Sequence, residues 1–547
     1  MKKEEISSIL KEMANLLELS GENPFKVKAY YDASRIVLSI EDLEKKIKEG
    51  TLNKVKGIGQ SLSDFIKRVY FEGTHPALEE LRQKFSPEFL ELLKIPGLGP
   101  KKLFVLQKEL NITSIQDLKY AIYENRLLNI SGFGEKTQEK LKENLKFYES
   151  VRGKVLLSEG IKIEEEVVSK FPQLHAAGQL RRRMPVIDCL EFVLKDFSLK
   201  RFQEELKNSE FFYENGDFFL KFKDLNIKIY EGYKNFYKVL FEVTGSKEHL
   251  EGLKKLGKIK EEINSEEEIY KSLNLDYIPP EMREGMGEIE LARKHLISKI
   301  INFKDIRGTL HNHTIESDGS SRIEDYIRVA KEMGFEFVGI ADHSRSAKYA
   351  GGLEGEELLK QREEIEKIGK ENGFLIFSGV ESDILVDGNL DYGEEILEKL
   401  DYVVGSIHSH FNLKKEQQTE RILKAISNKN FKILGHPEGR ILLGRKGYEI
   451  DMEEVLEKLS QEKKWVELNS NPLRLDLDWK WLPQAQKLNI PVSINPDAHY
   501  AADLKDVFYG VIMSRKGLLF KENCINAWEK ERLKEEFKYY EKRRKNI

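Results

Sequence analysis

The sequence contains few of the features that stabilise secreted proteins or span membranes. Only 2 of its 547 residues are cysteine, which excludes a disulfide framework. The N-terminal segment MKKEEISSILKEMANLL lacks the continuous apolar core of a signal peptide. No stretch approaches the roughly 20 apolar residues that cross a bilayer. These absences predict a soluble, cytoplasmic protein that binds no membrane.

The sequence also lacks an excess of charge of one sign. It has 90 Lys and Arg against 94 Asp and Glu, a net charge of −4, although 34% of its residues are charged. This balance excludes a uniformly basic nucleic-acid-binding protein but leaves room for local basic patches. Because single hydrophobic cores stop growing at roughly 250–300 residues, we expect three or four domains.

The pattern of apolar residues changes along the chain. Up to about residue 150, apolar residues recur at helical spacing and predict an all-α region. Short β-branched or aromatic runs between about 150 and 235 predict a sheet-bearing domain, and a mixed region follows to about 300. After Arg307, strand-like runs alternate with amphipathic helices, which is typical of a mainly parallel sheet or barrel.

The helical region contains three segments in which an apolar residue and Gly-apolar-Gly precede a helix. Two such glycines allow a tight turn that points a helix N-terminus outward, where a phosphate can bind without a base contact. One isolated copy is more often a simple helix cap, whereas three copies favour sequence-independent binding to a DNA backbone. The repeat resembles the helix-hairpin-helix motif of DNA repair proteins. The predicted DNA contacts in it are Gly57, Gly59, Gly97, Gly99, Lys101, Lys102, Gly132, Gly134 and Lys136.

Histidines are concentrated in the last part of the chain. Of 11 histidines, seven follow or end strand-like runs: His311, His313, His343, His408, His410, His436 and His499. Side chains at the C-terminal ends of barrel strands converge on one face. In His311-x-His313 and Asp497-x-His499, the spacing of two places both side chains on the same side of a strand. A lone buried histidine is more often a hydrogen-bonded core residue, but this arrangement predicts a metal site.

The middle segments HAAGQLRRRMPVIDCLEFVL, LNIKIYEG and VTGSKEHL resemble the palm and thumb of bacterial and archaeal family X DNA polymerases. The histidine motifs resemble the polymerase and histidinol phosphatase (PHP) domain that usually follows them. The resemblance covers essentially the whole chain and implies a multidomain fold. It comprises all-α helix-hairpin-helix domains, an α+β nucleotidyltransferase-like palm and thumb, and a C-terminal α/β PHP domain with a distorted β/α barrel. The implied domains are an N-terminal helix-hairpin-helix domain (1–85), a fingers-like helix-hairpin-helix domain (86–150), the palm (151–235), the thumb and linker (236–300) and the PHP domain (301–547).

The palm departs from the family pattern where polymerases bind metal. Family members use an Asp-x-Asp pair and a third Asp, and the alignment places Asp188, Leu190 and Lys228 at these positions. Leucine cannot ligate a metal, and a lysine would repel one. Glu191 is expected to point away from Asp188, because successive strand residues face opposite sides. The resemblance therefore implies a degenerate polymerase site.

Other family positions are partly kept. Arg181 and Arg182 match the pattern that precedes the first Asp, and we expect them to contact DNA. Phe65 occupies the position of the Schiff-base lysine in family members with lyase activity, and Lys67 faces another side of its helix. Lyase activity is therefore expected to be lost.

The PHP resemblance assigns nine metal ligands: His311, His313, Asp318, His343, Glu381, His408, His436, Asp497 and His499. This number of nitrogen and oxygen ligands suits two or three divalent ions with Glu381 as a bridging carboxylate. Manganese is favoured, with zinc and iron as alternatives. The residues assigned to catalysis are His311, His313, Glu381 and Asp497. Arg345, Arg440 and Arg474 are assigned to the substrate phosphate.

The implied function is that of a metal-dependent 3′–5′ exonuclease or DNA 3′-end phosphoesterase in DNA repair. Its partner is expected to be gapped, nicked or 3′-ended DNA, with other repair proteins as further candidates. Three alternatives stay open: an active polymerase that its PHP domain proofreads, a phosphatase of a small phosphate ester, and a DNA-binding scaffold without metal.

Overall fold

The structure is a computed structural model that describes residues 1, 3–40, 42–130, 132–205, 210–214, 216–222, 225–260 and 262–545. The chain forms two compact units, Met1–Arg152 and Gly153–Ile547. Among the helices in these described ranges, none combines the length and the apolar character needed to cross a membrane.

The first unit consists of α-helices joined by short turns. The first helix buries residues at helical spacing, such as Ile6, Leu10 and Leu17, and so supplies one face of the core. The helices are α1 (Lys3–Leu19), α2 (Pro24–Ser39), α3 (Leu43–Glu49), α4 (Gln60–Glu72), α5 (Pro76–Gln83), α6 (Pro87–Glu91), α7 (Pro100–Leu110), α8 (Ile115–Tyr123) and α9 (Glu135–Val151).

The three glycine turns have the same backbone form. The first glycine of each has a left-handed φ, which is 91° at Gly57, 79° at Gly97 and 88° at Gly132. The second glycine is the N-cap of α4, α7 or α9. The apolar residue between the glycines is buried in all three turns: Ile58, Leu98 and Phe133. Because a glycine cap has no side chain, the first amides of each helix are left for another hydrogen-bond acceptor.

The second unit begins with a small α+β region. Its five-stranded sheet has the order β2-β4-β7-β6-β5, and β4 and β7 are parallel. The elements are β1 (Val155–Leu156), α10 (Leu157–Lys170), β2 (Leu174–Ala176), α11 (Gly178–Arg181), β3 (Val186–Ile187), β4 (Leu190–Leu194), α12 (Leu199–Glu205), β5 (Glu210–Glu214), β6 (Asp217–Phe222) and β7 (Leu225–Glu231). This arrangement corresponds to the predicted palm.

Four helices follow the palm sheet: α13 (Phe236–Thr244), α14 (Lys247–Lys254), α15 (Glu266–Ser272) and α16 (Glu288–Arg293). Their packing depends on buried ion pairs. Glu266 accepts hydrogen bonds from Arg181 Nη1 (3.0 Å) and from the fully buried Arg283 Nη1 (2.7 Å). Glu284 lies 3.0 Å from Arg182 Nε and 2.5 Å from Lys516 Nζ.

These contacts involve Arg181 and Arg182, whose binding to DNA remains a prediction. Their side chains are only 20% and 12% exposed, and both are paired within the protein. Arg182 also donates to the carbonyl oxygen of Thr244 (2.7 Å). In this structure the two arginines connect the palm to the helices that follow it.

A parallel sheet with the order β14-β13-β12-β11-β10-β9-β8 forms the last part of the chain. Its strands are β8 (Gly308–Thr309), β9 (Phe337–Ile340), β10 (Leu375–Asp383), β11 (Tyr402–Ser406), β12 (Ile433–Leu434), β13 (Trp465–Asn469) and β14 (Val492–Asn495). His313 N donates to Ala498 O (2.8 Å), which joins the segments that follow the first and last strands. The sheet therefore closes into a barrel.

Helices surround the barrel and close one of its ends. They are α17 (Ile323–Glu332), α18 (Gly355–Asn372), α19 (Glu394–Leu397), α20 (Lys415–Ile426), α21 (Met452–Gln461), α22 (Leu482–Lys487), α23 (Val507–Lys516) and α24 (Lys530–Lys545). From α24, Phe537 packs on Phe377, Tyr402 and Trp465 near the N-terminal ends of the strands. The predicted multidomain fold class is confirmed, whereas the finer domain boundaries remain predictions.

Glu266 offers a test of the buried ion pairs. Glu266→Gln would leave Arg181 and Arg283 without a carboxylate, so we expect the free energy of unfolding of the second unit to fall by about 3 kcal/mol. Although burial raises the pKa of Glu266, the two arginines lower it below the ordinary value. The stabilisation is therefore present above about pH 4.3 and is lost as the pH falls through the lower folded pKa. Denaturant unfolding at several pH values measures this change in the free energy of unfolding.

Glu267→Gln provides the control, because Glu267 is the exposed neighbour of Glu266. Equal stability of the two variants at neutral pH would contradict a stabilising role of the buried ion pairs.

Candidate metal centre

The strands of the barrel carry nitrogen and oxygen donors at their C-terminal ends. His311 and His313 follow β8, His343 follows β9, and Glu381 lies near the end of β10. The donors after the other strands are His408 after β11, His436 after β12, and Asp497 and His499 after β14, with Asp318 in the loop after β8. Parallel strands end on the same side of a barrel, so all nine predicted ligands converge on one face.

Glu381 lies at the centre of these donors. Its carboxylate oxygens are 2.9 Å from His343 Nδ1 and 2.9 Å from His436 Nε2. Three further imidazole nitrogens lie within 3.6 Å of it, those of His311, His313 and His408. The Glu381 side chain is 1% exposed. This is the position expected of a bridging carboxylate.

The donor atoms form three overlapping groups, each with its atoms within 4.8 Å of one another. The groups are His313, Asp318, His343 and His499; His311, His313 and Asp497; and His343, Glu381 and His408. His313 and His343 each belong to two groups, which is the arrangement that a cluster of neighbouring ions requires. His436 lies outside the groups but contacts Glu381.

The hydrogen bonding of these side chains fits divalent ions. His311 Nε2, both ring nitrogens of His313, His436 Nδ1 and Glu381 Oε2 are buried and accept or donate no hydrogen bond within the protein. Buried polar atoms without partners are costly, and a metal ion would satisfy them. Burial, followed by the charge of His343, lowers the pKa of His313 to about 4, which leaves its ring neutral for coordination.

The carboxylates of the centre are ionised. Although burial raises the pKa of Glu381, the charges of His408, His311 and His343 hold it well below its usual range. The same balance applies to Asp497, where His311 and His313 oppose the effect of burial. Although burial lowers the pKa of the partner histidines, the carboxylates raise the pKa of His343 to about 10 and that of His408 to about 9. Coordination of a divalent ion would displace these protons and leave imidazole and carboxylate donors, which suit divalent transition metals.

Two further carboxylates orient the histidines, and the sequence analysis missed both. Glu467 on β13 lies 2.7 Å from His311 Nδ1, and Asp383 at the end of β10 lies 2.7 Å from His408 Nδ1. Such partners fix which ring nitrogen faces the metal. The spacing of two between Glu381 and Asp383 could have indicated the second residue. By contrast, His410 is exposed and has a left-handed φ of 57°.

The three arginines predicted to bind phosphate have different surroundings. Arg474 lies beside the centre, with its Nε 3.8 Å from Asp497 Oδ2. The guanidinium of Arg440 pairs with Asp478 Oδ2 (2.6 Å) and donates to the carbonyl oxygen of Arg474 (3.1 Å), and its contact with phosphate remains a prediction. Arg440 therefore supports the loop that carries Arg474. Arg345 is bonded to the Asp391 carbonyl (2.7 Å), and its contact with phosphate remains a prediction.

The predicted polymerase residues do not come together. Leu190 is buried in the palm core opposite Ile227, whereas the cross-strand partner of Lys228 is Glu191. Asp188 precedes β4, where it binds Lys154 Nζ (2.9 Å) and Gln179 Nε2 (2.9 Å). The register thus places Lys228 opposite Glu191 and not opposite Leu190, and the degenerate polymerase site of Asp188, Leu190 and Lys228 remains a prediction.

Two carboxylates on the sheet face that carries Lys228, those of Asp217 and Glu191, each have a partner. Asp217 Oδ2 lies 2.6 Å from Lys228 Nζ, and Glu191 Oε1 accepts a hydrogen bond from Tyr230 OH (2.8 Å). The Lys228 ammonium also lies 4.9 Å from the centre of the Tyr230 ring. The ammonium group of Lys228 therefore places a positive charge on this face of the sheet, next to Asp217.

The predicted DNA-binding lysines lie at the glycine turns. Lys102 Nζ donates to the Gly97 carbonyl (3.1 Å), and Lys101 lies 3.7 Å from Glu18 while its side chain is 85% exposed. Lys136 is exposed at the start of α9. Their contact with DNA remains a prediction.

His408 and His410 provide a matched pair for testing the centre. We expect His408→Ala to lower the number of divalent ions bound per chain and the melting temperature, because a contact of Glu381 is lost. His410→Ala should retain the wild-type values, since this histidine is exposed. Elemental analysis and thermal melting measure both quantities. Equal metal content in the two variants, or wild-type protein that binds no divalent ion after incubation with manganese, would contradict the assignment.

Comparisons with known proteins agree with the observed order of domains. A PHP domain model matches residues 309–471, a helix-hairpin-helix domain model matches 1–75, and a SAM-like helix-hairpin-helix tandem model matches 89–146. Two probable phosphatases each match 36% of this chain. The one from Caldicellulosiruptor bescii is 29% identical with 80% of its length covered, and the one from Thermoanaerobacter sp. (strain X514) is 30% identical with 79% covered.

A relative that matches along nearly the whole chain is the DNA polymerase/3′-5′ exonuclease PolX of Bacillus subtilis (strain 168). It is 32% identical over 564 residues, which cover 96% of this chain and 98% of the relative. The hairpin and PHP domain matches lie in the order that the sequence analysis predicted. The chain therefore belongs to the PolX family.

Proposed function

We propose that this protein is a metal-dependent 3′–5′ exonuclease or DNA 3′-end phosphoesterase that acts in DNA repair through its PHP barrel. The observation that carries the proposal is the convergence of five imidazoles on the buried carboxylate of Glu381. The printed name of the Bacillus subtilis relative includes a 3′-5′ exonuclease. A cluster of divalent ions suits the hydrolysis of phosphodiesters, since it can clamp both the attacking and the leaving oxygen.

Each part of the centre has a role in this proposal. The nine donors would hold two or three divalent ions. The absence of thiolate ligands leaves manganese, zinc and iron as candidates, and manganese is favoured because of the resemblance to family X enzymes with a PHP domain. When bound, the ions supply a hydrolytic water and neutralise the charge that develops on the phosphate. Arg474, beside Asp497, would bind a nonbridging phosphate oxygen. Glu467 and Asp383 hold the rings of His311 and His408 by their Nδ1 atoms, so that the Nε2 atoms face Glu381.

The proposal includes the loss of polymerase activity. Two metal ions in the palm would need ionised carboxylates with unoccupied oxygens. Lys228 contributes a positive charge where a metal would bind, and it pairs with Asp217. Glu191 is hydrogen-bonded to Tyr230. Both contacts favour a palm that serves as a scaffold.

DNA would be held through its backbone. The three glycine turns present uncapped helix N-termini, and a phosphate can accept hydrogen bonds from such amides regardless of sequence. Gapped, nicked or 3′-ended DNA is the proposed substrate. The loss of lyase activity is also part of the proposal, because Phe65 is buried at 2% exposure where the family nucleophile would stand.

Cleavage of a labelled oligonucleotide tests the proposal. With manganese, the wild-type protein should shorten a 5′-labelled strand stepwise from its 3′ end. Asp497→Asn should slow this by more than about 100-fold, because it removes a charge from the centre. Asp188→Asn, in the palm, should cleave like wild type. Fragments that arise from the 5′ end, or unchanged rates in Asp497→Asn, would overturn the proposal.

A second candidate function is the hydrolysis of a small phosphate monoester, which the matches to probable phosphatases favour. The same assay separates the two functions when a generic phosphomonoester competes with the oligonucleotide. Preferred turnover of the phosphomonoester, with little shortening of DNA, would favour the second candidate.

Primer extension tests the loss of polymerase activity. With magnesium or manganese and all four deoxynucleotides, we expect the wild-type protein to add no nucleotide to a gapped substrate, because Lys228 excludes metal from the palm. The Asp497→Asn variant should be assayed in parallel, so that 3′ cleavage does not mask synthesis. Robust extension that is lost in Glu191→Gln would show that the palm is active and that this part of the proposal is wrong.

A further inference from the structure

The rim of the metal centre carries exposed apolar side chains. Ile315, Tyr349, Val386 and Leu473 are exposed by 48%, 73%, 50% and 50%. They lie in the loops that follow β8, β9, β10 and β13, which are the loops that surround the donors. Exposed apolar groups at the mouth of a site are typical of ligand contacts. A substrate with an apolar face would therefore be recognised outside the metal cluster.

Tyr349 is the most exposed of these side chains and stands next to a predicted ligand. Its ring centre lies 6.3 Å from that of His343, with the two planes at 58°. Partial loss of hydration beside the centre, followed by the charges of Glu381, Asp383 and Asp318, raises the pKa of Tyr349. These three carboxylates belong to the centre or support it, so the tyrosine hydroxyl lies within electrostatic reach of the cluster.

The backbone fixes the turn that presents Tyr349. The turn Lys348–Ala350 is a 3₁₀ helix whose neighbours bond back to the strand end: Ala347 N donates to Ser344 O (2.9 Å), and Leu353 N donates to His343 O (2.9 Å). A Cβ on Gly352 would lie 1.9 Å from Ser344 O, so the close approach requires glycine. A rigid turn of this kind can hold an aromatic ring in a constant place.

Positive charge lies on the same rim. Arg474 Nε lies 3.8 Å from Asp497 Oδ2, and the charge of Arg474 opposes the rise in the pKa of Tyr349. Arg445 is exposed, and its guanidinium lies 4.4 Å from the centre of the Phe411 ring. An aromatic ring beside arginines is the combination that binds single-stranded nucleic acid, since bases stack while phosphates pair.

We propose that Tyr349 stacks on the base of the 3′-terminal nucleotide and positions its phosphodiester at the metal centre. The inference rests on the proposed exonuclease function and adds its specificity-determining residue. Stacking on Tyr349 requires that the terminal base be unpaired from its complement. The tyrosine takes no part in the hydrolysis itself. Because every base has an aromatic face, the contact is independent of sequence.

The test compares two oligonucleotides that differ only in the terminal base. One ends in an ordinary 3′ nucleotide, and the other ends in an abasic 3′ nucleotide with the same phosphodiester. For the ordinary end, Tyr349→Ala should lower kcat/KM about tenfold, mainly through KM, while Tyr349→Phe should keep the wild-type value. For the abasic end, wild type and Tyr349→Ala should be equal. Phe303→Ala provides the control, because this 39% exposed side chain precedes β8 and lies at the opposite end of the barrel.

The outcomes separate the stacking proposal from the function on which it rests. If Tyr349→Ala lowers kcat/KM equally for the ordinary and the abasic oligonucleotide, Tyr349 stabilises the structure of the centre and does not stack on a base. If Tyr349→Ala leaves kcat/KM for the ordinary oligonucleotide unchanged, Tyr349 does not bind the substrate. Either result overturns the stacking proposal while the nuclease stands. If metal-loaded wild-type protein cleaves neither oligonucleotide, the proposed function fails, and the stacking proposal fails with it.

Discussion

Burying carboxylates among imidazoles is the constraint on which the C-terminal barrel depends. An ionised carboxylate removed from water requires compensating positive charge or hydrogen bonds. Glu381 meets this requirement through five histidines that come from the ends of four other strands. Asp497 does so in part because the barrel closes, since the pairing of the segments after β8 and β14 brings it 3.0 Å from His313 Nε2. Strand order, closure and site geometry therefore depend on one another.

Local spacing accounts for the parts of the centre that the sequence predicted. The spacing of two places His311 beside His313 and Asp497 beside His499, and the strand-like runs place each pair at a strand end. The bridging role of Glu381 was implied by the family resemblance, and its central position follows from the strand order, in which β10 lies between β8 and β9 on one side and β11 and β12 on the other. Glu467 was missed because it lies 156 residues from His311, its hydrogen-bond partner.

The arginines show where sequence patterns stop being informative. Arg440 and Arg182 both follow motifs that suggested phosphate or DNA binding, yet each is paired with a carboxylate far along the chain. A motif identifies a cation but not its partner, and burial decides between an internal ion pair and an exposed phosphate ligand. In the palm, Leu190 and Glu191 lie on opposite faces of β4, so a difference of one residue in an alignment changes which side chain shares a face with Lys228.

The parts of the chain differ in their chemistry. The helical unit has helix N-termini whose backbone amides can bind DNA phosphates. In the palm, Lys228 is paired with Asp217. In the barrel, buried imidazole nitrogens near Glu381 have no hydrogen-bond partner within the protein. Anomalous diffraction from crystals grown with manganese and a 3′-ended oligonucleotide tests this division most directly. The account predicts two or three manganese peaks around Glu381, with the terminal phosphodiester beside Arg474. Manganese and the DNA 3′ end at the palm face of Glu191 and Lys228, with none in the barrel, would contradict it.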